Sequence, residues 1–472
     1  MNINMNIKKI IPLLSALSLA ISLLACKQDN EPESTYQLWY NTPATVWEEA
    51  LPIGNGRLGA MIFGDPFHER LQVNEESLWS GAPINSNNPK AASNLDKIRE
   101  LILNHQYTEA KKLAAEVMVG TPPRVRSYQT FGEILLDYDI NDTTQYRRSL
   151  DLNRGLCTTT FSSNGIDYNQ TSFASATDNV IVTRISSSQR GGLNLLVRLQ
   201  REKDATIRIE GNEIIMEGQI IDEDSPLAGK GGKHMRFASK LRVLRKGGEI
   251  IGKDSGIYIS NAREVTLLWS AATDYNIAML NFDRNINPLA ECEQIINQAA
   301  ALSYKELLNR HIVDHSAVFN RVSLDLGKTS QDTLPTDIRL KAVKDGANDP
   351  GLISLYFQYG RYLLMNSSRK PGVLPANLQG IWNRHFNAPW GSDFHTNINL
   401  QMNYWPAEVC NLSETALPLI DLMEKLQKPG STTAKEMYNA RGWTLHHLTD
   451  PFGRTAVGLF PYGWALDDIP DL

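Results

Sequence analysis

The chain is short of cysteine, of basic charge and of long hydrophobic runs. Four cysteines occur in 472 residues, and the three beyond Cys26, namely Cys157, Cys292 and Cys410, have no paired spacing. Neither a disulfide framework nor a zinc motif is therefore predicted. The net charge of −5 offers no basic surface to nucleic acid or to anionic membranes. The composition, 42% hydrophobic and 21% charged, is that of a globular protein, and the length predicts about two or three domains.

One apolar run lies at the amino terminus. Two lysines precede an apolar stretch at residues 10–24, which ends just before an Ala-Cys pair. The stretch is shorter than the roughly 20 residues that span a bilayer, and a small residue before a cysteine suits cleavage and lipid attachment. We expect a lipoprotein signal peptide at residues 1–26, lipid attachment at Cys26 and a polar tether at 27–35. The alternative is a plain secretory signal with an incidental cysteine, which also exports the protein.

A two-residue periodicity dominates up to about residue 275. Strands are predicted, among other places, at 179–185, 193–199 and 264–269. The pairs Gly211-Asn212 and Gly247-Gly248 separate such runs and predict hairpin turns. Many short strands joined by turns predict a large antiparallel sandwich. Helical spacing from about residue 93 to 118 predicts one helical insertion in it.

Beyond residue 276 the spacing of apolar residues is helical. Linker helices are predicted within 289–319. Asp349 is a candidate N-cap, because Pro350 suits the first helical position and an apolar face follows it. A further helix is predicted from about residue 416 to 426, and a long loop is expected from 366 to 406. The chain is therefore predicted to be β first and α second.

The stretch HTNINLQMNYWP, residues 395–406, places a histidine, a glutamine and three asparagines in a segment of high apolar density. It contains no carboxylate and no lysine. A buried amide costs a few kcal/mol unless its hydrogen bonds are supplied. The cluster is therefore either a structural network or a ligand site, and its composition alone leaves both open.

Three other motifs have weaker interpretations. The adjacent Glu75 and Glu76 could form an acid/base pair, but strand neighbours face opposite sides, so one is predicted to anchor Arg57 or a backbone turn. Adjacent His446 and His447 point apart and lack a third ligand at suitable spacing, which favours pocket lining over a metal site. The GNGRLG stretch is similar to a dinucleotide fingerprint but lies in no βαβ pattern.

Four stretches in order carry a stronger signal. They are LWYNTPATVWEEALPIGNGRLGAMIFGD (38–65), VNEESLWSG (73–81), FQYGRYLLMNSSRKPGVLPANLQGIWN (357–383) and PWGSDFHTNINLQMNYWPAE (389–408). Together they resemble glycoside hydrolase family 95, the inverting α-L-fucosidases. The resemblance implies an N-terminal β super-sandwich, a helical linker and an (α/α)6 barrel whose inner helices carry the sugar site. It also implies hydrolysis of fucosylated oligosaccharides or polysaccharides without a cofactor or metal.

The resemblance assigns roles within the amide cluster. Asn397 and Asn399 match the family asparagines that contact the attacking water and orient a basic aspartate, since an amide can accept from water and donate to a carboxylate. His395 matches a histidine that contacts sugar hydroxyls. In an extended segment these three alternate residues point to one side, with Thr396 and Ile398 toward the scaffold.

The resemblance also defines the expected domains. They are the signal peptide (1–26), the tether (27–35), the β super-sandwich (36–280), a helical linker (281–335) and an incomplete (α/α)6 catalytic barrel (336–472). Ordinary helix and loop lengths allow about eight elements after residue 336, whereas a closed (α/α)6 ring has twelve helices. The family's acidic glutamate and basic aspartate are therefore expected beyond this sequence, and a truncated or frameshifted gene is expected.

The expected protein is an exported α-L-fucosidase-type hydrolase, tethered to the outer membrane or periplasmic face only through its lipid, with no nucleic-acid partner. A second candidate is an α-L-galactosidase of the same family, because the two sugars differ by one exocyclic hydroxyl. Two candidates without enzymatic activity are a glycan-binding surface lipoprotein and a gene remnant.

Overall fold

The described part of the protein begins at Tyr36. The structure, a computed structural model, describes residues 36–253 and 255–459. The predicted signal peptide, the lipid attachment site Cys26 and the tether lie outside the described residues.

Two antiparallel sheets form the amino-terminal half. The nine-stranded sheet has the spatial order β1 (Gln37–Tyr40), β6 (Thr144–Asp151), β7 (Leu156–Ser163), β8 (Ile166–Ser175), β9 (Val180–Ser187), β16 (Glu264–Thr273), β13 (Gly232–Lys246), β12 (Glu213–Asp222) and β11 (Ala205–Glu210). The seven-stranded sheet has the order β14 (Glu249–Lys253), β15 (Gly256–Ala262), β10 (Leu193–Gln200), β5 (Gly132–Tyr138), β4 (His68–Glu75), β3 (Leu58–Ile62) and β2 (Leu51–Gly54). Buried apolar side chains of both sheets belong to one core. The predicted sandwich is confirmed.

Eight helices belong to the described residues. They are α1 (Ala91–Leu103), α2 (Tyr107–Val117), α3 (Pro288–Ala300), α4 (Tyr304–Phe319), α5 (Thr336–Lys344), α6 (Pro350–Ser367), α7 (Asn399–Val409) and α8 (Leu417–Tyr438). Two short ladders are also present: β17 (Tyr275–Asn276) pairs with β18 (Asn281–Phe282), and β19 (Phe394–His395) pairs with β20 (Leu448–Thr449). Helices α1 and α2 form the predicted insertion between β4 and β5. No described helix combines the length and hydrophobicity needed to cross a membrane.

Strand β16 is buried along its whole length. One of its faces belongs to the sandwich core, where Trp269 packs edge-on against Phe131. Its other face is covered by α3, with Leu268 and Ile296 in a second apolar cluster. Because both faces are covered, the sequence EVTLLWSAAT shows no strict alternation of polar and apolar residues.

The turn predictions had two outcomes. Gly211-Asn212 joins β11 to β12 in a hairpin, with Glu210 paired to Glu213, as predicted. The hairpin predicted at Gly247-Gly248 is wrong, because β13 belongs to the nine-stranded sheet whereas β14 pairs with β15 in the other sheet. Two successive glycines with positive φ, +75° and +65°, allow the chain to cross between sheets there.

The helical half begins and continues largely as predicted. The Asp349 carboxylate accepts the Leu352 N–H at 2.8 Å, and Pro350 is the first residue of α6. Helix α8 is longer than the predicted 416–426 and contains Pro429 without ending there. The long loop predicted to Pro406 is wrong, because α7 begins at Asn399.

The β2–β3 hairpin lies against the last turn of α6 and the backbone that follows it. Gly56 donates its N–H to the Asn366 carbonyl at 3.0 Å. A Cβ atom on Gly54 would lie 2.4 Å from the Asn366 carbonyl oxygen, and one on Gly56 would lie 2.1 Å from that of Arg369. Gly56 also has φ of +93°, which favours glycine. The glycines of GNGRLG therefore let two backbones meet.

This contact can be tested with two alanine substitutions. We expect Gly54→Ala to lower the free energy of unfolding by about 2–3 kcal/mol, because the neighbouring backbone has to move. Gly360, exposed in α6, has no other heavy atom within 4 Å of an added Cβ, so Gly360→Ala should be neutral or stabilise by up to about 1 kcal/mol. Urea unfolding followed by circular dichroism measures both. A Gly54→Ala protein as stable as the parent would contradict the close approach.

Candidate functional site

The segment around His395 is fixed from two sides. Strand β19 pairs with β20, and the Thr396 N–H donates to the His447 carbonyl at 2.8 Å. The buried Phe394 ring packs on Trp79 of the sandwich, with ring centroids 5.3 Å apart. The backbone that carries His395 is therefore held by the sandwich and by the 446–449 segment together.

His395 forms a close pair with Asp393. Its Nδ1 lies 2.5 Å from Asp393 Oδ1, and the aspartate is buried. Burial raises the pKa of Asp393, while the hydrogen bond to Asp393 raises the pKa of His395. We assign Nδ1 as the donor, because a carboxylate can only accept, and this assignment leaves Nε2 of the half-buried ring for another partner.

Asn397 and Asn399 are exposed rather than buried. Neither side chain makes a hydrogen bond to another described residue. The predicted extended segment is wrong beyond Thr396, because Asn399 is the first residue of α7 and Ile398 is 44% exposed rather than turned to the scaffold. The segment is helical rather than extended because Leu400, Tyr404 and Ala407 have helical spacing, which places them on the inward face of α7.

The other amides of the cluster are structural. Gln401 Nε2 donates to the Thr396 carbonyl at 2.6 Å, and Asn403 Nδ2 donates to the Asn377 carbonyl at 3.3 Å. The hydroxyl of the partly buried Tyr404 accepts the Ala376 N–H at 2.8 Å. The cluster therefore contains both a hydrogen-bonded network and two amides available to a ligand.

A cavity of about 860 Å³ lies beside His395. Asp393, His395 and Trp390 line it from the helical half, and residues of the sandwich line it from the other side. His447 lies next to His395, with ring centroids 5.8 Å apart. Asn397 and Asn399 are not among the lining residues, so the structure brings His395 to the cavity and leaves the two amides on the exposed start of α7.

Glu75 and Glu76, at the end of β4, both bind groups of the protein. Glu75 pairs with Arg57 at 3.3 Å and accepts the Ser77 N–H, as predicted for an anchor. Glu76 accepts the N–H groups of Val373 and Leu374 at 2.7 and 2.9 Å. Burial and the neighbouring Glu75 raise the pKa of Glu76 to about 8.

Asp450 is buried and accepts the Phe452 and Arg454 N–H groups at 3.0 and 3.2 Å. The two adjacent histidines point apart: His446 contacts Tyr438 and the Thr455 carbonyl, whereas His447 faces His395. Within residues 36–253 and 255–459, no three His, Cys, Asp or Glu side chains are grouped to hold a metal ion.

Comparison with known protein families gives two matches. Residues 38–278 match the model described as the glycosyl hydrolase family 65 N-terminal domain, and residues 303–467 match the glycosyl hydrolase family 95 catalytic domain. The chain is 35% identical over 455 residues to "Alpha-L-fucosidase 2" of Arabidopsis thaliana. The aligned region covers 91% of this chain and 53% of that protein. The chain belongs to glycoside hydrolase family 95.

A second relative of this family 95 chain is also named as a fucosidase. "Probable alpha-fucosidase A" of Aspergillus niger is 32% identical over 89% of the chain and 54% of its own length. The chain thus spans about half the length of the curated relatives it matches. Among solved structures, "Putative kojibiose phosphorylase from human microbiome" has a TM-score of 0.52 at 12% identity, over 89% of this chain and 52% of that one. This likeness concerns the fold alone, a sandwich followed by helices.

Two residues that line the cavity beside His395 were missed from the sequence. Asp393 and Trp390 lie in the quoted PWGSDFH stretch, but the interpretation began at His395. The available signal for Asp393 was its position two residues before a candidate sugar-binding histidine, because alternate residues of a strand point to the same side. The backbone of Trp390, with φ of +50°, has no such signal in the sequence.

The Asp393–His395 pair predicts a pH effect. Because the pair raises the folded-state pKa of His395, protonation of His395 stabilises the fold below its ordinary pKa of 6.5, and this contribution is lost as pH rises through the folded pKa. We expect Asp393→Asn to lower the His395 pKa, so that the loss occurs at lower pH. NMR titration of imidazole signals, assigned with His395→Gln, measures it. The exposed Asp345→Asn should leave the pKa unchanged, and an unchanged value in Asp393→Asn would disprove the pair.

Proposed function

We propose that this chain carries the sugar-binding part of an α-L-fucosidase-type glycoside hydrolase that acts on fucosylated glycans with inversion. The observation that carries the proposal is the exposed amide pair Asn397 and Asn399, which follows the His395–Asp393 pair in the sequence, in a chain that belongs to family 95. The names of the curated relatives support fucose as the sugar.

In this proposal His395 binds the sugar and the two asparagines hold water. His395 Nε2 is directed to a sugar hydroxyl, and Asp393 fixes the ring that presents it. The amide oxygens and NH2 groups of Asn397 and Asn399 have no partner among the described residues, so they can hold the attacking water and orient the base that deprotonates it. An asparagine cannot itself be that base.

We further propose that the general acid and general base are not residues of this chain. Inversion requires two carboxyl groups about 6.5–9.5 Å apart, on opposite faces of the scissile bond. Asp393 is used by His395, Asp450 by two backbone N–H groups, and Glu76 by the N–H groups of Val373 and Leu374. These carboxylates are therefore committed to holding the site together.

The test is to assay the purified chain for both hydrolysis and binding, in a detergent without a sugar headgroup. We expect no release of aryl alcohol from an aryl α-L-fucoside above buffer, because acid and base catalysis each contribute roughly 10²- to 10⁴-fold. We also expect L-fucose to raise Tm by mass action. Robust turnover would refute the absence of the acid and base.

Matched variants and sugars separate the candidate functions. His395→Ala should abolish the L-fucose-dependent rise in Tm, whereas Asn397→Ala should change it little, because Asn397 is proposed to hold water rather than sugar. Stronger stabilisation by L-galactose would favour an α-L-galactosidase. Stabilisation without turnover is expected both from this proposal and from a glycan-binding lipoprotein, whereas no stabilisation by either sugar would favour a gene remnant.

We also propose that the protein is exported and anchored in the cell envelope through a lipid on Cys26. The support is the sequence of residues 1–26, with its basic start, apolar stretch and Ala-Cys ending. In cells grown with radiolabelled palmitate, the parent chain should incorporate label and Cys26→Ser should not. Incorporation by Cys26→Ser would exclude Cys26 as the site, whereas an unlabelled but secreted parent would support the plain secretory signal.

A further inference from the structure

We propose that the cavity between the sandwich and the 387–395 loop binds the part of the glycan beyond the fucose, and that this part is a neutral saccharide stacked on Trp390. The inference rests on the proposed function, because it takes the sugar at His395 to be fucose. The cavity of about 860 Å³ is lined both by His395 and by sandwich residues within 124–129, 203–204 and 221–228. This volume lies in the range of pockets that enclose small ligands, about 300–1,000 Å³.

Trp390 lines this cavity on a strained backbone. Trp390, Gly391 and Ser392 have φ of +50°, +68° and +50°. Each left-handed residue other than glycine costs roughly 1–2 kcal/mol. Such strain persists where the surrounding structure enforces it, and it is concentrated at functional sites.

The sandwich enforces this conformation. The Tyr128 N–H donates to the Gly391 carbonyl at 2.9 Å, and the Ala388 N–H donates to Ser127 Oγ at 2.8 Å. Within the loop, the Gly391 N–H donates to the Ala388 carbonyl at 2.9 Å. Hydrogen bonds on both sides of Trp390 therefore fix the backbone that carries the indole before any ligand arrives, which lowers the entropy that binding has to overcome.

Exposure alone would not distinguish Trp390. Its side chain is 57% exposed, but Trp405 and Trp443 are 62% and 42% exposed. Trp390 differs because it has positive φ and lines the cavity, whereas the other two do neither. Its ring makes no aromatic contact or hydrogen bond with another described residue. An amphipathic aromatic face in a polar pocket suits the apolar C–H face of a pyranose ring.

Asp204 provides a second, independent contact. It lines the same cavity, and its backbone has φ of +64°. Its carboxylate oxygen Oδ2 is buried and has no hydrogen-bond partner among the described residues. A buried carboxylate oxygen without a partner is costly, and a ligand hydroxyl would supply a strong O–H···O⁻ bond.

The charges of the cavity select a neutral ligand. Five carboxylate and three cationic side chains line it, besides His395. Arg126 is used within the sandwich, since it lies 3.5 Å from Asp222 and donates to the Glu223 and Gly229 carbonyls. The hydroxyl groups of a neutral sugar therefore find acceptors in this cavity, whereas a sulfate or carboxylate group on a ligand meets an excess of negative charge.

Calorimetric titration of the full chain, in a detergent without a sugar headgroup, tests the proposal with L-fucose, lactose and α-L-fucosylated lactose. We expect the fucosylated trisaccharide to bind at least about 10-fold more tightly than L-fucose. Trp390→Ala should remove this gain and leave L-fucose binding unchanged, while Trp390→Phe should keep most of it. Sialylated lactose should bind more weakly than lactose.

Two matched controls accompany these variants. Trp443→Ala removes an exposed indole outside the cavity and should bind all probes like the parent. Asp204→Asn should weaken trisaccharide binding several-fold, whereas Glu202→Gln, two residues away and outside the lining, should not. Equal Tm values in the absence of sugar confirm that each variant folds.

The outcomes distinguish this inference from the proposed function. A trisaccharide that binds no more tightly than L-fucose, or whose affinity is unchanged by Trp390→Ala, would overturn the inference and leave the fucose site intact. Lactose binding that depends on Trp390 in a chain that does not bind L-fucose would overturn the proposed function and retain a neutral saccharide site. Tighter binding of the sialylated sugar would overturn the assignment of a neutral ligand.

Discussion

The close approach of the β2–β3 hairpin to residues 366–372 is the contact on which the rest of the structure depends. Glycines without side chains allow the two backbones to touch, and the Tyr362 hydroxyl donates to the Pro52 carbonyl at 2.9 Å from the adjoining α6. Farther along, the indole of Trp382 donates to the Ile53 carbonyl at 2.9 Å. Because α6 and the chain that leaves it are both fixed to one hairpin, the path from α6 to the site is set by the sandwich.

The same dependence continues to the site itself. Asn74 at the end of β4 accepts the Asn383 N–H at 3.0 Å and donates to its carbonyl at 2.9 Å, a reciprocal pair that is fully buried. Glu76 adds a buried carboxylate that accepts two backbone N–H groups of the helical half. Buried polar pairs of this kind specify one arrangement, since moving either half leaves several unsatisfied groups. The sandwich is thus a template for the site.

The order of sheets and helices was predictable because it depends on local periodicity. Alternation over β11 and β12, and the Asp349-Pro350 helix start, are properties of neighbouring residues. The type of connection at Gly247-Gly248 was not predictable in this way, since a glycine pair is equally compatible with a hairpin and with a crossing between sheets. Which one occurs depends on the strand that pairs with β14, and that strand is β15 rather than β13.

Within the amide cluster, the sequence could identify the residues but not sort them. Five polar side chains in an apolar segment are equally consistent with a network and with a ligand site. What separates them is the presence of a protein partner: Gln401 and Asn403 have backbone carbonyls to donate to, whereas Asn397 and Asn399 are exposed and have none among the described residues. Those partners come from the turn at Thr396 and the distant Asn377, both set by tertiary contacts. The sorting is therefore a property of the fold, which the spacing of polar and apolar residues in the sequence does not contain.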